Sequence, residues 1–369
     1  MLTGGKGAES KGSGRRTAVE KRSITRSFEA REYLRDLDFD ESLLPSAKNI
    51  ITRSLGLTTG NTVVVVVEVG RDEIGAAILA AAEEAGTIPT AFLVGPDQAA
   101  NDAFIRRLID RMTEADASVF VGSYDGLPTP FRRKLTATAK GRRRHAHLAG
   151  ITAAILRRSL RGDFTEAHAF GEALNDAIGV AQRLDVRSAT GTDLRIKLGP
   201  IGWHHASSLI PSGKWSNLPG GELLTSPVSV DGVIVPDGGA FLPDGSEHPR
   251  SSRIELHFQD SYLTRARGLD AGDPLMALLG DFDDCKRVGR IGLGTNIGLL
   301  VSVGALLQDR TAPGFHLTLG HPAGELTGAT WSCPIEIPMF VRRADVLADG
   351  TPFLVRGRYA RNLRNAPIA

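Results

Sequence analysis

The chain has 369 residues, 41% hydrophobic and 23% charged, so it is long enough for two domains that each bury a core. Its formal net charge of +2 excludes a strong overall attraction to nucleic acid or to an anionic membrane. Two cysteines exclude a disulfide framework and a four-cysteine zinc site, and no apolar run reaches the roughly 20 residues of a membrane span. We expect a cytoplasmic protein without a secretory leader.

The first residues differ in composition from the rest of the chain. Residues 1–26 are rich in Gly, Ser, Lys and Arg and hold almost no apolar side chains, which predicts a disordered basic arm. Residues 27–57 place apolar side chains at helical spacing and predict a helical lead-in.

Alternating strand and helix signals then predict a first domain over residues 27–190, of the α/β class with an open, mostly parallel sheet. The predicted strands are residues 62–67, 90–94 and 117–122, and the predicted helices are residues 73–85 and 104–112. Gly70 follows the first strand but lacks both the G-x-G-x-x-G spacing and a P-loop lysine. The sequence therefore argues against a dinucleotide or ATP site.

A basic segment covers residues 130–144, directly before His145 and His147. A solvated helix face, a site for an anionic substrate and a nucleic-acid surface all remain open, although missing interleaved aromatics disfavour nucleic acid. The basic residues are Arg132, Arg133, Lys134, Lys140, Arg142, Arg143 and Arg144.

The pattern of the sequence changes from helical to strand-like after a helix predicted over residues 164–184. From residue 191 to 369, short β-type runs alternate with Asp-Gly turns, which predicts a second domain that is β-rich and of the α+β kind. Its predicted strands are residues 194–198, 228–235, 253–258, 315–319 and 353–356, with a helix at residues 274–279.

Several blocks of the chain carry a family resemblance. Residues 217–222 (NLPGGE) resemble an N-x-P-x-G-E segment, residues 290–296 (RIGLGTN) resemble E-x-G-x-G-x-N, and residues 314–320 (GFHLTLG) resemble a G-x-x-H-x-x-x-G strand. Residues 147–152 (HLAGIT) resemble an H-x-x-G-I-T motif. Residues 332–336 (SCPIE) lie at the position of a motif with a serine followed by H-x-D. Over roughly residues 45–360 the chain resembles the aminopeptidase T type metallopeptidases and the related 2,5-dihydroxypyridine 5,6-dioxygenases.

The resemblance implies two domains with an active cleft between them, Glu222 facing a metal centre and His316 as a metal ligand. The chain also departs from the pattern. Arg290 replaces a metal-bridging glutamate, Pro334 replaces the last histidine, and Glu336 replaces an aspartate. Neither proline nor a protonated guanidinium can ligate a metal, which argues against a dinuclear centre.

Two versions of the site remain open. In the first, one divalent iron or zinc ion binds His316, Glu336 and either Glu222 or another histidine. The other candidate histidines are His204, His205, His257 and His321. In the second, no metal binds: Arg290 pairs with Glu222 or clamps a substrate carboxylate, and His316 or a carboxylate acts as general base.

Six residues in or beside these blocks are candidates for substrate binding, and the tryptophans among them are candidates for either an aromatic wall or core packing. They are His145, His147, Trp215, Asn217, Asn296 and Trp331.

We expect an enzyme that acts on a small molecule or short peptide bearing a carboxylate, with one metal ion or none. A mononuclear iron(II) ring-cleaving dioxygenase and a catalytically silent binding protein are the alternatives. Neither a membrane nor nucleic acid is an expected partner, and the resemblance implies a homodimer.

Overall fold

A computed structural model describes residues 30–162, 164–248, 253–270, 273–281, 286–297, 299 and 304–364. The predicted basic arm at residues 1–26 lies outside the described residues. Within them, no helix combines the length and apolar character needed to cross a membrane.

The strands are named here in chain order. They are β1 Thr62–Glu68, β2 Ile88–Val94, β3 Ala117–Gly122, β4 Arg144–Ala149, β5 Arg183–Arg187, β6 Asp193–Lys197, β7 His204–Ala206, β8 Trp215–Asn217, β9 Glu222–Thr225, β10 Ser229–Ile234, β11 Glu255–Gln259, β12 Tyr262–Arg267, β13 Val288–Gly294, β14 Gly314–Gly320, β15 Glu336–Val341, β16 Asp345–Ala348, β17 Thr351–Val355 and β18 Arg358–Tyr359.

The α-helices are Arg31–Arg35, Leu44–Asn49, Asp72–Glu84, Pro96–Ala99, Asp102–Glu114, Thr129–Thr136, Ala153–Ser159, Phe164–Gly179, Pro274–Asp281, Leu306–Thr311, Gly324–Thr327 and Arg361–Arg364. A 3₁₀ turn at Glu41–Leu43 and a π-helical turn at Ile50–Ser54 complete the helical lead-in.

The first sheet has the strand order β2-β1-β3-β4-β8, and all neighbouring strands are parallel. The valines of β1 are buried because helices cover both faces of this sheet. Gly75 allows the helix Asp72–Glu84 to approach β1 closely, since a Cβ there would lie 2.6 Å from a methyl group of Val67. The predicted parallel α/β sheet is confirmed.

Two antiparallel sheets form the β-rich part of the chain. The second sheet has the order β12-β11-β10-β6-β5-β16-β17-β18, and the third has the order β15-β14-β13-β9-β7. Leu184 and Val186 of β5, Leu293 of β13 and Leu174 of the helix Phe164–Gly179 belong to one buried cluster. The two sheets and this helix therefore share a hydrophobic core.

The helix predicted over residues 164–184 is shorter in the structure. It ends at Gly179, and Arg183–Arg187 forms β5, because Leu184 and Val186 alternate into the core with the period of a strand. β8, although it follows residue 191, extends the first sheet beside β4.

Candidate active site

A cleft of about 830 Å³ is bounded by the first and third sheets. The first sheet contributes His147 from β4 and Trp215 and Asn217 from β8, whereas the third contributes Glu222 from β9 and Arg290 from β13. The volume is within the range of sites for small molecules. The arrangement agrees with the predicted cleft between an α/β part and a β-rich part.

The strands of the third sheet place Glu222 and His316 side by side. Glu222 lies opposite Gly294, and His316 lies opposite Gly292. A Cβ on Gly292 would come within 2.2 Å of the imidazole Cε1 of His316, so this glycine provides the space in which the ring lies. The E-x-G-x-G-x-N resemblance thus marks a glycine with a direct steric role.

Two guanidinium groups converge on the carboxylate of Glu336. Arg290 donates from Nη2 to Glu336 Oε2 and from Nη1 to the carbonyl of His321 at 2.6 Å. Arg310, on the helix Leu306–Thr311, places Nη2 3.4 Å from Glu336 Oε1 and Nε 3.8 Å from Glu222 Oε2. Arg290 therefore pairs with Glu336, and the second guanidinium lies between the two carboxylates.

The first domain also reaches Glu336. Tyr124, in the loop after β3, donates a hydrogen bond from its hydroxyl to Glu336 Oε1 at 3.0 Å. Burial, reinforced by Glu336, raises the pKa of Tyr124 above its usual value, so the phenol remains a donor. Burial alone would raise the pKa of Glu336, but Arg290 and Arg310 outweigh it and hold that pKa well below its usual range. Glu336 is therefore a permanent anion.

Glu222 has a different environment. Burial raises the pKa of its carboxyl to about 6, because Arg310 and Arg290 offset only part of the desolvation. Its Oε1 lies 3.3 Å from His316 Nε2, yet neither atom has an aligned hydrogen-bond partner among the described residues. Burial and the nearby arginines hold the pKa of His316 well below its usual value, so its imidazole is neutral.

A buried hydrogen-bonded chain supports the opposite wall of the cleft. Ser118 Oγ lies 2.8 Å from His145 Nδ1, and His145 Nε2 lies 3.0 Å from His147 Nδ1. The ring of His147 stacks on Phe120 and meets Trp215 edge-on. Burial lowers the pKa of both histidines, that of His145 to about 3. Only His147 lines the cleft, and His145 lies behind it.

The predicted metal ligands Glu222, His316 and Glu336 are not grouped within metal-binding distance of one another among the described residues. Among the described residues, the group of three His, Cys, Asp or Glu side chains whose donor atoms lie within 4.8 Å of one another is His168, Glu172 and His205. Glu222, His316 and Glu336 form no such group, and guanidinium groups already neutralise the two carboxylates. As the described side chains are placed, these three donors are too far apart to hold one ion together, and a metal in the cleft stays a prediction.

Three predicted substrate-binding residues, His145, Asn296 and Trp331, lie away from the lining of the cleft. Trp331 stacks against the guanidinium of Arg287, with 4.3 Å between that group and the ring centroid, and Asn296 packs beside Gly221. Sequence reasoning missed Arg310 and Tyr124 as site residues. The one available signal for Arg310 is its position just before the histidine strand, and Tyr124 has no motif around it.

Two solved structures share this fold. One is the 2,5-dihydroxypyridine dioxygenase of Pseudomonas putida KT2440, with a TM-score of 0.65 at 19% identity over 88% of this chain and 99% of that chain. The other is wild-type AmpT of Thermus thermophilus, with a TM-score of 0.61 at 18% identity over 88% of this chain and 100% of that chain. No family profile and no curated protein sequence matches. The resemblance predicted from the motifs is confirmed at the level of the fold, which this chain shares with aminopeptidase T and 2,5-dihydroxypyridine dioxygenase.

Proposed function

We propose that the cleft binds a small molecule bearing a carboxylate and converts it by proton transfer, with Glu222 as general acid and base and no metal ion in the cleft. The observation that carries this proposal is the pair of guanidinium groups, Arg290 and Arg310, at two carboxylates of unequal pKa, buried Glu222 and partly buried Glu336.

The charges of the lining favour an anionic ligand. Four arginines and three glutamates line the cleft, so the net charge is positive by one unit and rises to two when Glu222 is protonated. Arg132 and Arg133 come from the predicted basic segment, which supports its interpretation as part of an anion site. A guanidinium recognises a carboxylate through two parallel hydrogen bonds, which gives both affinity and orientation. The lining arginines are Arg132, Arg133, Arg290 and Arg310, and the glutamates are Glu222, Glu325 and Glu336.

The unequal environments of Glu222 and Glu336 suit two different roles. A carboxyl with a pKa of about 6 exists in both protonation states near neutral pH, which is what a general acid or base requires. Glu336 remains ionised and holds Arg290 and Arg310 in position. Two carboxylates whose pKa values are separated by their surroundings are a recurrent basis of acid–base catalysis.

His147 is the proposed orienting group on the opposite wall. Because its Nδ1 is bonded to His145, Nε2 is the ring atom that remains for a molecule in the cleft. Trp215 and Asn217 lie on the adjacent strand and supply an aromatic face and an amide. A planar or short-chain carboxylate would thus be held between β8 and the guanidinium groups of Arg290 and Arg310.

The activities named for the two structural neighbours, an aminopeptidase and a dioxygenase, do not transfer to this chain with the fold. The residues that depart from the motif pattern are those at which metal chemistry would act. Arg290 contributes a fixed positive charge at that place, and such a charge can stabilise a developing oxyanion or enolate on a substrate.

Binding is tested first. Untagged protein is screened against short mono- and dicarboxylates, keto acids, aromatic acids and dipeptides by thermal shift, and hits are titrated calorimetrically. Arg310→Met should weaken a hit about 10- to 100-fold, as expected for a charge-assisted contact worth about 1.5–3 kcal/mol. Arg342→Met is the matched control, because Arg342 is similarly buried, at 16% exposure against 13%, and does not line the cleft. Equal binding by both variants and the wild type would refute the anion site.

Conversion is tested second. The protein is incubated with each bound carboxylate in deuterated water, and mass spectrometry follows both product and deuterium incorporation. Wild type should exchange or convert the ligand, and Glu222→Gln should bind it with similar affinity but lose the reaction. Binding without exchange or conversion in the wild type would instead establish a silent binding protein and refute the catalytic role of Glu222.

A further inference from the structure

We propose a second functional site on the reverse face of the third sheet: a divalent transition-metal site, most suited to Zn²⁺, formed by His168, Glu172 and His205. It is separate from the cleft and does not depend on the function proposed for the cleft. The donor atoms of the three side chains lie within 4.8 Å of one another.

The helix Phe164–Gly179 presents two of the three ligands. His168 and Glu172 are four residues apart and therefore project from the same face, one turn above the other. A helix that places a histidine and a carboxylate at this spacing provides two ligands from one rigid element. The third ligand, His205, comes from β7, which packs against this helix.

Gly171 permits the contact between the helix and His205. A Cβ at this position would lie 2.2 Å from His205 Nε2, so any other residue would displace the ring. Glycine inside a helix costs about 1 kcal/mol relative to alanine, which indicates that the close approach of the imidazole has a role. Gly171 accommodates Nε2 of His205, and Nδ1 of the same ring therefore faces the carboxylate of Glu172.

The hydrogen bonds leave ligating atoms available. His205 Nδ1 lies 2.5 Å from Glu172 Oε1, so a metal taken up between these two side chains would bind Nδ1, while the buried Nε2 faces Gly171 and has no hydrogen-bond partner among the described residues. His168 Nδ1 lies 3.0 Å from Ser207 Oγ, which leaves Nε2 of that ring for a metal. A ligating histidine commonly donates its other ring N–H to such a partner, and this contact fixes the tautomer.

The geometry requires a small adjustment. Zinc bonds of about 2.1 Å in a tetrahedron place ligand atoms about 3.4 Å apart. The short contact between Glu172 and His205 would open, and the widest donor separation, at most 4.8 Å, would shrink by about 1.4 Å. The rings of His168 and His205 already stack at 5.3 Å with an interplanar angle of 11°.

The site lies directly behind the cleft. Neighbouring residues of β7 point to opposite faces of the sheet, so His205 faces the helix while Ala206 lines the cleft. Ala206 also pairs in register with Glu222 of β9. A metal bound at His205 would therefore fix β7 against the helix and stiffen the strand beside Glu222. The side chain of Glu172 is 49% exposed, which leaves a path for the ion and a fourth position for water.

Metal titration tests the site. Untagged protein is stripped with a chelator, dialysed, and titrated with Zn²⁺ against a competing chromogenic chelator, with stoichiometry from elemental analysis. Wild type should take up one equivalent and gain thermal stability, and Co²⁺ should give the visible spectrum of a tetrahedral centre. Glu172→Gln and His168→Ala should weaken binding at least about 100-fold, and Ser207→Ala about 10-fold.

Controls separate this site from others. His257→Ala changes a different histidine near a glutamate, Glu255 at 3.9 Å on the second sheet, and should leave Zn²⁺ binding unchanged. Glu222→Gln should also leave it unchanged, because that residue lies in the cleft. Glu172→Gln affects an exposed side chain, so loss of folding would not explain loss of metal. Failure of the wild type to bind Zn²⁺ more tightly than Glu172→Gln would overturn the proposal and identify His205 and Glu172 as a simple hydrogen-bonded pair, whatever the outcome for ligands of the cleft.

Discussion

Glu222 Oε1 and His316 Nε2 lie 3.3 Å apart, and both atoms are buried without an aligned hydrogen bond. A proton on Glu222 or on Nε2 of His316 would turn this contact into a hydrogen bond. Because the imidazole is neutral, a protonated Glu222 can donate to Nε2 when the ring carries its proton on Nδ1, whereas an ionised Glu222 can accept when the proton is on Nε2. The free energy of unfolding should therefore report on this carboxyl.

Glu222→Gln should change the pH dependence of stability. The pKa of this carboxyl is raised to about 6 in the folded protein, so the folded state binds its proton more tightly than the unfolded state does. The free energy of unfolding of the wild type therefore falls by up to about 2 kcal/mol as pH rises from 4.5 to 7, and that of the glutamine variant does not show this fall. Urea unfolding at a series of pH values measures the difference. Leu223→Val, a neighbouring buried change without a titrating group, should run parallel to the wild type, and a parallel curve for Glu222→Gln would contradict the raised pKa.

Glu336→Gln should destabilise the fold by about 3 kcal/mol at pH 7, because Arg290 and Arg310 would lose the carboxylate that neutralises them. The low pKa of Glu336 means that this contribution is present at neutral pH and is lost only in strong acid. Chemical denaturation gives the value.

Glu255→Gln is the control for Glu336, because the two side chains have similar exposures of 23% and 25%, but the Arg253 partner of Glu255 is largely exposed. It should cost less than about 1 kcal/mol. Equal losses in the two variants would mean that the arginines of the cleft do not depend on Glu336.

Gly292→Ala should displace His316 and destabilise the fold by about 1–3 kcal/mol, since the new methyl would lie 2.2 Å from the imidazole and 2.8 Å from the carbonyl of Leu223. Gly202→Ala is the control, because no atom lies within 4 Å of its added methyl. Thermal unfolding together with the imidazole NMR signals would detect both effects. An unchanged His316 signal in Gly292→Ala would show that the glycine does not position the ring.

His145→Gln should reduce the acid sensitivity of the fold. Burial lowers the pKa of His145 to about 3, so in acid the unfolded chain binds a proton that the folded protein rejects. The wild type should therefore lose about 2 kcal/mol from this group as pH falls from 7 to 5, and the variant should lack that component. Phe131→Leu, a buried change in the same domain without a titrating group, should keep the wild-type dependence. If His145→Gln also kept it, the imidazole would have to titrate normally.

The elements that the sequence predicted best are those with strong local patterns. The β-branched run of β1 and the alternation in β6 and β10 are properties of neighbouring residues, and the structure confirms these strands within one or two residues at each end. The helix after residue 164 was predicted too long because Leu184 follows Ala181 at helical spacing, although it also alternates with Val186 as in a strand. The local sequence is compatible with both the helical and the strand period, and burial of Leu184 and Val186 in the core selects the strand.

The candidate site was predictable only in part. The motifs marked Glu222, Arg290, His316 and Glu336 as candidate site residues, and the structure places all four on adjacent strands of one sheet. The pairing of Arg290 with Glu336, and not with Glu222, depends on how β13, β14 and β15 are aligned, which no single motif encodes. Arg310 enters from a short helix outside the sheet, so its contribution requires the tertiary structure.

β8 and β9 give the cleft a mechanical constraint. Asn217 belongs to the first sheet and Glu222 to the third, and only residues 218–221 connect them. Gly220 lies against the backbone of Ser207, where a Cβ would approach within 2.4 Å, so this connection is also held from the side. The two walls of the cleft are thus joined by this short connection. Any opening that admits a ligand is therefore limited on this side of the cleft by the four residues that join Asn217 to Glu222.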